Sequence, residues 1–284
     1  MSYKSGRAFL FLAASLTLPN VFGAAFTFSD FSNPLGLTLL GNAALAANRL
    51  RITQAAENQV GAVWLNDRVD VQGGFTTSFQ FQITERGGYT PDWEPGVVND
   101  GADGFTFTIQ NQSPTAMGLY ASGIGYYGIT NSLAIEFDTW NNKPSYCEPN
   151  GNHVAVQSLG AAGNQPEHCA DPGGAFGNPT LGIAIPQKDM SNGTIYDVTI
   201  KYQPGLLDVY FDNMANPLLS VNVDLGNLLN LQGGRSAFIG FTSSTGGAFE
   251  NHDIVKWSYS DVPEPGTMLL AGLGMLAMAR LRRR

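Results

Sequence analysis

Apolar and polar residues alternate along much of the chain between residues 24 and 260. In residues 75–84, Phe79, Phe81 and Ile83 share one face, and polar residues occupy the other. Alternation with a period of two is typical of a β-strand with one buried face. Similar patterns predict further strands at residues 104–110, 133–140, 153–157, 195–202, 206–211, 218–223, 237–242 and 254–259.

Turn signals such as Asn192-Gly193 and Pro204-Gly205 separate these stretches, and no long helical pattern interrupts them. We therefore predict an all-β domain over residues 24–260. Its strands form a two-sheet β-sandwich of the jelly-roll type, in which the apolar faces of the two sheets pack against each other. Short helical segments are expected only in the terminal segments, 1–23 and 261–284.

Composition adds one exclusion to this prediction. The chain is 43% hydrophobic, which is enough for one sizeable core, and only 13% of its residues are charged, with a formal net charge of -8. An acidic surface repels phosphate backbones, so nucleic acid is not expected as a partner.

The two cysteines, Cys147 and Cys169, lie on either side of a stretch rich in Gly, Asn and Pro. In an oxidising compartment they could form one disulfide bond across that stretch. The alternative is a pair of free thiols, and the sequence leaves both open.

Residues 1–23 have the features of a secretory signal peptide. Lys4 and Arg7 supply positive charge, an apolar run follows at residues 8–18, and small residues end the segment. The alternative is a buried N-terminal helix, but the order of charge, apolar run and small residues favours a signal peptide.

Residues 261–284 contain Pro263-Glu264-Pro265, an apolar run at 267–279, and an arginine tail. The run is shorter than the roughly 20 residues of a typical membrane span. The segment resembles the PEP-CTERM sorting signal of bacterial exported proteins. This resemblance implies transient membrane anchoring through the C-terminus, processing by an exosortase-type enzyme, and a final location at the cell surface or outside the cell. A plain C-terminal anchor is the alternative.

The candidate chemistry lies in the strand predicted at 133–140. Glu136, Asp138 and Trp140 are two residues apart and therefore project from one face. Two carboxylates on one face repel each other unless a proton or a cation lies between them. Together with Glu148 and His153 they offer three carboxylates and one imidazole, a set that suits a divalent transition metal such as Mn²⁺.

A second, oxygen-rich set overlaps the first. Asp138 and Glu148, with the Trp140 carbonyl and the side-chain amide oxygen of Asn142, suit Ca²⁺, which takes six to eight oxygen ligands. The alternative is an ordinary polar strand edge in solvent.

This segment resembles the legume-type, or L-type, lectin family, whose metal segment runs Glu-x-Asp-x-aromatic, Asn, an acidic residue before Pro, and His. The matching residues are Glu136-Phe137-Asp138-Thr139-Trp140, Asn142, Glu148-Pro149 and His153. The resemblance implies a concanavalin-like sandwich, with a transition metal on Glu136, Asp138, Glu148 and His153 and calcium on Asp138, Trp140, Asn142 and Glu148. Glu148 is a departure, because the family usually has Asp there; Asp171 is a nearby substitute.

The same resemblance implies a sugar site. In the family, the counterpart of Asp103 follows a cis peptide bond and accepts hydrogen bonds from sugar hydroxyls, and a glycine loop donates a backbone N–H, here from Gly125. Trp140 would stack on a pyranose, Asn142 would donate its amide, and Gly247 and Ala248 fall in the specificity loop.

We therefore expect a non-enzymatic exported lectin that binds glycans or exopolysaccharide, with possible homodimers through the back sheet. One alternative is a structural surface or matrix protein without sugar binding. The other is a laminarinase-like glycoside hydrolase, whose strand carries Glu-x-Asp-x-Glu; Trp140 in place of the second Glu argues against it.

Overall fold

A computed structural model describes residues 24–89, 101–143, 145–169, 178–212 and 215–261. The predicted signal peptide and nearly all of the predicted sorting segment lie outside these residues, as does Asp171. None of the helices in the described part of the chain is long and apolar enough to cross a membrane.

The described strands form two antiparallel sheets of eight strands each. The back sheet contains β1 Ala25–Phe28, β3 Ala44–Ala46, β4 Arg49–Thr53, β7 Phe75–Gly88, β12 Ile195–Gln203, β13 Leu206–Phe211, β14 Leu219–Val221 and β16 Ala248–Asp261. The front sheet contains β2 Leu37–Gly41, β5 Val60–Leu65, β6 Val69–Asp70, β8 Gly104–Gln110, β9 Ser132–Asp138, β10 His153–Gln157, β11 Thr180–Ala184 and β15 Ser236–Ser244.

The predicted all-β, two-sheet sandwich is confirmed. The predicted strands at 104–110, 153–157 and 206–211 coincide with β8, β10 and β13. The prediction did not include β1–β6 or β11, which are two to six residues long, because short runs carry a weak period-two signal.

One detail of the prediction was wrong, since two short helical turns lie within the domain. They are a 3₁₀ turn at Ala121–Gly123 and a helical turn, α1, at Leu225–Leu228. The Asp224 side chain starts α1 by accepting hydrogen bonds from the backbone N–H groups of Gly226 and Asn227. One turn is too short to show helical periodicity, but a capping side chain is enough to stabilise it locally.

The main core lies between the sheets and is rich in aromatic rings. Along β9, Leu133, Ile135 and Phe137 all point into it and are fully buried. Phe137 pairs across the strands with Phe105, and their rings stack with centroids 4.8 Å apart. Burial of such side chains contributes about 1.5–3 kcal/mol each, so the core fixes the register of β9 against its neighbours.

The opposite face of β9 is also buried. A second apolar cluster, which includes Trp64, Ile124, Tyr126 and Ala134, covers the outer face of the front sheet. Residues 116–129 supply four members of this cluster and lie over the sheet. Glu136 shares the face of Ala134, and this places the predicted chemistry beneath loops.

Candidate metal and sugar site

Three neighbouring strands of the front sheet bring predicted site residues into one row. Asp138, the last residue of β9, pairs with Gly104 of β8 on one side and with His153 of β10 on the other. Asp103 directly precedes Gly104, and Glu136 projects from the same face of β9 as Asp138. Four of the predicted metal and sugar residues therefore meet at one end of this sheet: Asp103, Glu136, Asp138 and His153.

The tightest group of ligand atoms contains Glu136, His153 and His168, whose ligand atoms all lie within 4.8 Å of one another. The Nε2 atoms of the two imidazoles are 3.2 Å apart. His168 Nε2 is 3.6 Å from Glu136 Oε2. The structure thus joins two predicted ligands to a histidine that the sequence analysis did not name.

The imidazole of His153 is oriented by the chain itself. Its Nδ1 lies 2.8 Å from the backbone carbonyl oxygen of Asn150, so Nδ1–H donates to that carbonyl and Nε2 keeps its lone pair. Burial lowers the pKa of His153 to about 4, and burial together with His153 lowers the pKa of His168 to about 3. Both rings are neutral at neutral pH and are therefore able to ligate a metal.

The carboxylate of Glu136 is held in place by two side chains. The Tyr126 hydroxyl donates to Oε1, and the Gln157 amide donates to Oε2 at 3.2 Å. Burial raises the pKa of Glu136 to about 8, although the two hydrogen bonds act to lower that pKa. Burial, followed by the Glu136 carboxylate, raises the pKa of Tyr126 well above its usual value, so the phenol stays a donor.

Asp138 and Glu148 lie beside this group and are held by backbone amides. Trp140 N–H donates to Asp138 Oδ1 at 2.8 Å, and Asn142 N–H donates to Glu148 Oε2. Burial, followed by Glu148 and Glu136, raises the pKa of Asp138 well above its usual value. Burial raises the pKa of Glu148 to about 8. The Glu148 side chain is therefore buried and held by the loop that carries Asn142, but it is not one of the three residues whose ligand atoms converge.

The burial of these carboxyl groups decides whether a cation fits here. Asp103, Glu136, Asp138 and Glu148 are each at most 4% exposed. Among the described residues, none of the four forms a salt bridge with Lys or Arg. A buried charge without a partner costs several kcal/mol, so protons or cations must accompany these groups. Carboxylate and imidazole donors fit a divalent metal.

The two cysteines form a disulfide bond, with their Cα atoms 5.1 Å apart. Of the two alternatives that the sequence left open, the bridge is therefore confirmed. Cys147 directly precedes Glu148, and Cys169 directly follows His168. The bond joins the two loops that carry these side chains.

Asp103, the predicted sugar acceptor, is buried directly before β8. The peptide bond between Ala102 and Asp103 is cis, as the family resemblance implies. Burial, followed by Glu250, raises the pKa of Asp103 well above its usual value. Its Oδ2 atom is buried and has no hydrogen-bond partner within the described part of the chain.

The amide expected to donate from Gly125 is already engaged. Gly125 N–H donates to the Leu119 carbonyl at 2.9 Å. The residue is packed against β15, because a Cβ at this position would lie 2.9 Å from the Ser243 carbonyl oxygen. The structure corrects the role given to this N–H, since it is not free for a sugar.

The predicted specificity residues separate in the structure. Gly247 is exposed, and its carbonyl accepts a hydrogen bond from Tyr89 N–H at 3.0 Å. Ala248 is buried and pairs with Gly88 of β7, so its side chain faces protein rather than solvent. This placement corrects the expectation for Ala248.

Gly246 and Ala121, which the sequence did not single out, lie close to Asp103. A Cβ on Gly246 would lie 3.2 Å from Ala121 Cβ and 3.5 Å from Asp103 Oδ2. Trp140 and Asn142 are both half-buried, so each keeps accessible surface. The rim around Asp103 therefore includes Gly246 and Ala121.

Comparison with known families gives this arrangement a context. The model of the legume lectin beta-barrel domain matches residues 26–257. The chain belongs to the legume-type lectin family. The PEP-CTERM protein-sorting motif matches residues 261–284, which indicates export and C-terminal sorting of this lectin-family chain.

Individual relatives are distant. A probable L-type lectin-domain containing receptor kinase, S.7, from Arabidopsis thaliana is 28% identical over 265 residues, which cover 82% of this lectin-family chain and 34% of the kinase. The chain thus spans about a third of the length of that relative.

Solved lectins share the fold. The lectin from Bauhinia forficata in complex with GalNAc has a TM-score of 0.65 at 21% identity and covers 85% of this chain and 99% of its own. Lectin I from Ulex europaeus, in complex with the methyl glycoside of α-L-fucose, has a TM-score of 0.62 at 18% identity. The match covers 84% of this chain and 97% of the Ulex lectin.

Three residues of this lectin-family site were missed from sequence: His168, Tyr126 and Gln157. The strand pattern could have identified Gln157, because it is four residues after His153 on the same strand and lies on the same face. His168 is one of only three histidines and adjoins one of two cysteines, which was a usable signal. Tyr126 gave none, since it reaches Glu136 from a loop.

Proposed function

We propose that this chain is an exported carbohydrate-binding protein whose sugar site is organised by Ca²⁺ and a divalent transition metal such as Mn²⁺. The observation that carries the proposal is the group of four buried carboxyl groups beside two neutral imidazoles, with the unpartnered Oδ2 of Asp103 at its edge. In its ionised form, such a group is stable only when cations offset its charge.

Each predicted ligand has a role in this proposal. Glu136, Asp138, Glu148 and His153 hold the transition metal, and Asp138, Trp140, Asn142 and Glu148 hold calcium, as the family resemblance implies. When bound, the cations neutralise the carboxylates and fix the loops that carry them. Glu148 and Asn142 are already joined through the Asn142 N–H, which supports a common site.

The sugar would be held by the chain's own groups. Asp103 accepts hydrogen bonds from sugar hydroxyls, the half-buried Trp140 offers its ring to a pyranose face, and Asn142 donates its side-chain amide. The Bauhinia and Ulex lectins were solved with different sugars on the same fold. The fold therefore does not select the sugar, and we propose only glycans or exopolysaccharide as the ligand class.

Location follows from the two ends of the chain. We propose that residues 1–23 direct export of a bacterial protein, and that residues 261–284 anchor it transiently before an exosortase-type enzyme acts. The protein would then remain at the cell surface or in the extracellular matrix. The predicted homodimer through the back sheet stays a prediction.

The proposal assigns no enzymatic activity. A glycoside hydrolase needs two carboxyl groups that reach the scissile bond. Glu136 is fully buried, and Trp140 stands where a laminarinase-like strand would carry its second Glu. A structural surface protein without sugar binding is the second candidate, and the internal hydrogen bond of the Gly125 N–H favours it.

A glycan array probed with the full chain tests the proposal. We expect binding in Ca²⁺ and Mn²⁺, loss of binding with a chelator, and recovery when the metals return. Asp103→Asn should abolish binding, while Asp197→Asn, on the exposed outer face of the back sheet, should not change it. Absence of binding to every glycan in the presence of both metals would favour the structural candidate.

A further inference from the structure

His168 belongs to neither ligand set that the family resemblance supplies, yet it lies in the tightest group of ligand atoms. It follows β10 in the chain by eleven residues and returns over the front sheet to face His153. Its side chain is only 3% exposed. A histidine placed by chance on a loop would keep more of its ring in solvent.

An imidazole, a carboxylate and the Gln157 side-chain amide, 3.3 Å away, surround the Nε2 atom of His168. Its Nε2 faces the Nε2 lone pair of His153 at 3.2 Å and the Glu136 carboxylate at 3.6 Å. Its Nδ1 lies 3.4 Å from the Thr180 hydroxyl oxygen. Three electron-pair donors converge on one point, an arrangement that a single divalent cation satisfies and that is typical of a metal centre.

We propose that His168 joins Glu136 and His153 as a ligand of the transition metal, so that these three side chains form the centre. In this arrangement His168 takes the place that the family resemblance gives to Asp138 and Glu148, which remain calcium ligands. This inference rests on the metal centre of the proposed function and concerns which metal it takes. Two nitrogen ligands and one oxygen ligand favour Zn²⁺ over Mn²⁺, because imidazole suits zinc whereas carboxylate and water suit manganese.

The disulfide bond keeps this ligand in position. Cys169 follows His168 directly, and Cys147 precedes Glu148 directly. The backbone N–H of His168 also donates to the Tyr146 carbonyl at 2.8 Å. The bond thus joins the loop of His168 to the loop of Glu148, and the covalent link limits how far the imidazole can move from the site.

X-ray absorption of the Zn²⁺-loaded full chain tests the inference without any substitution. We expect the signal of two imidazoles on zinc in the wild type. One imidazole, or none, would overturn the proposal. This measurement stays informative even when a substituted chain fails to fold.

Calorimetry with Zn²⁺ supplies the second test. His168→Gln should weaken Zn²⁺ binding by more than about 100-fold, because even an outer partner of a metal ligand is worth roughly 10- to 100-fold. His252→Gln is the matched control: it alters a buried histidine that contacts Thr53, and affinity should stay unchanged. Equal Zn²⁺ affinity of His168→Gln and the wild type would overturn the inference.

Glycan binding separates this inference from the proposed function. Two imidazoles on zinc without any sugar binding would support the role of His168 and count against the lectin proposal. Metal-dependent sugar binding that His168→Gln leaves unchanged, together with a single imidazole on zinc, would support the lectin proposal and overturn the role of His168.

Discussion

Removal of the metals should make the stability of this protein fall as the pH rises. Burial raises the pKa of Glu136 and of Glu148 from 4.5 to about 8. A carboxyl group with a raised pKa in the folded state binds more protons folded than unfolded between those two values. The free energy of unfolding therefore falls as the pH rises from about 4.5 to about 8, and changes little above that.

The size of the effect follows from one residue. For Glu136 alone, the difference between 4.5 and about 8 corresponds to about 5 kcal/mol, at about 1.4 kcal/mol for each pKa unit. Its side chain is fully buried, so solvent does not screen the cost. Domains are stable by about 5–15 kcal/mol in total, so this one carboxyl group is a large fraction of the whole.

Urea unfolding of the full chain measures this directly at about pH 5 and about pH 8, with chelator or with Ca²⁺ and Mn²⁺. With chelator, we expect much lower stability at the higher pH. With metals, the loss should disappear, because cations offset the charge. Glu136→Gln is the control, since a neutral isostere should reduce the slope of the chelated protein and leave the part that Glu148 contributes.

Equal stability of the chelated wild type at both pH values would contradict this prediction. It would mean that Glu136 and Glu148 ionise without cost, and so that water or another cation already reaches them. A pH slope that metals leave unchanged would show instead that the ionising groups lie away from the metal centre.

Three further predictions concern the parts that support the site. Replacing Cys147 and Cys169 by Ala should lower the free energy of unfolding by about 3 kcal/mol, the loop-closure value for a separation of 22 residues, measured by urea unfolding without metal; no change would mean that the bond adds nothing to the folded loops. Tyr126→Phe removes the hydroxyl that donates to Glu136 and should weaken transition-metal binding by about tenfold, as measured by calorimetry. Unchanged affinity would show that Tyr126 does not position the carboxylate. Gly104→Ala should destabilise the fold by more than about 2 kcal/mol, because φ at Gly104 is +115° and a Cβ there would lie 2.3 Å from the Phe137 carbonyl oxygen. Gly193→Ala is the control and should cost only about 1 kcal/mol, because φ at Gly193 is +82° but the space around it is open. Equal shifts of the thermal unfolding midpoint in the two variants would contradict this prediction.

Local patterns in the chain specify the two layers of the fold and one face of the site. Alternation over residues 132–138 sends Leu133, Ile135 and Phe137 to the core, and so must place Glu136 and Asp138 together on the other face. This follows from local geometry, because side chains on a strand alternate whatever the strand pairs with. Local reasoning also identified His153, which begins the next strand.

Tertiary structure decided what surrounds that face. The strand order of the front sheet and the loops over it bring distant segments together. As a result, Asp103 lies near Gly246, and Glu136 accepts a hydrogen bond from the Tyr126 hydroxyl. His168 reaches the metal centre because β10, β11 and the disulfide bond return its loop to the sheet. These contacts depend on which strands pair and how loops close, and no periodicity in the chain encodes that.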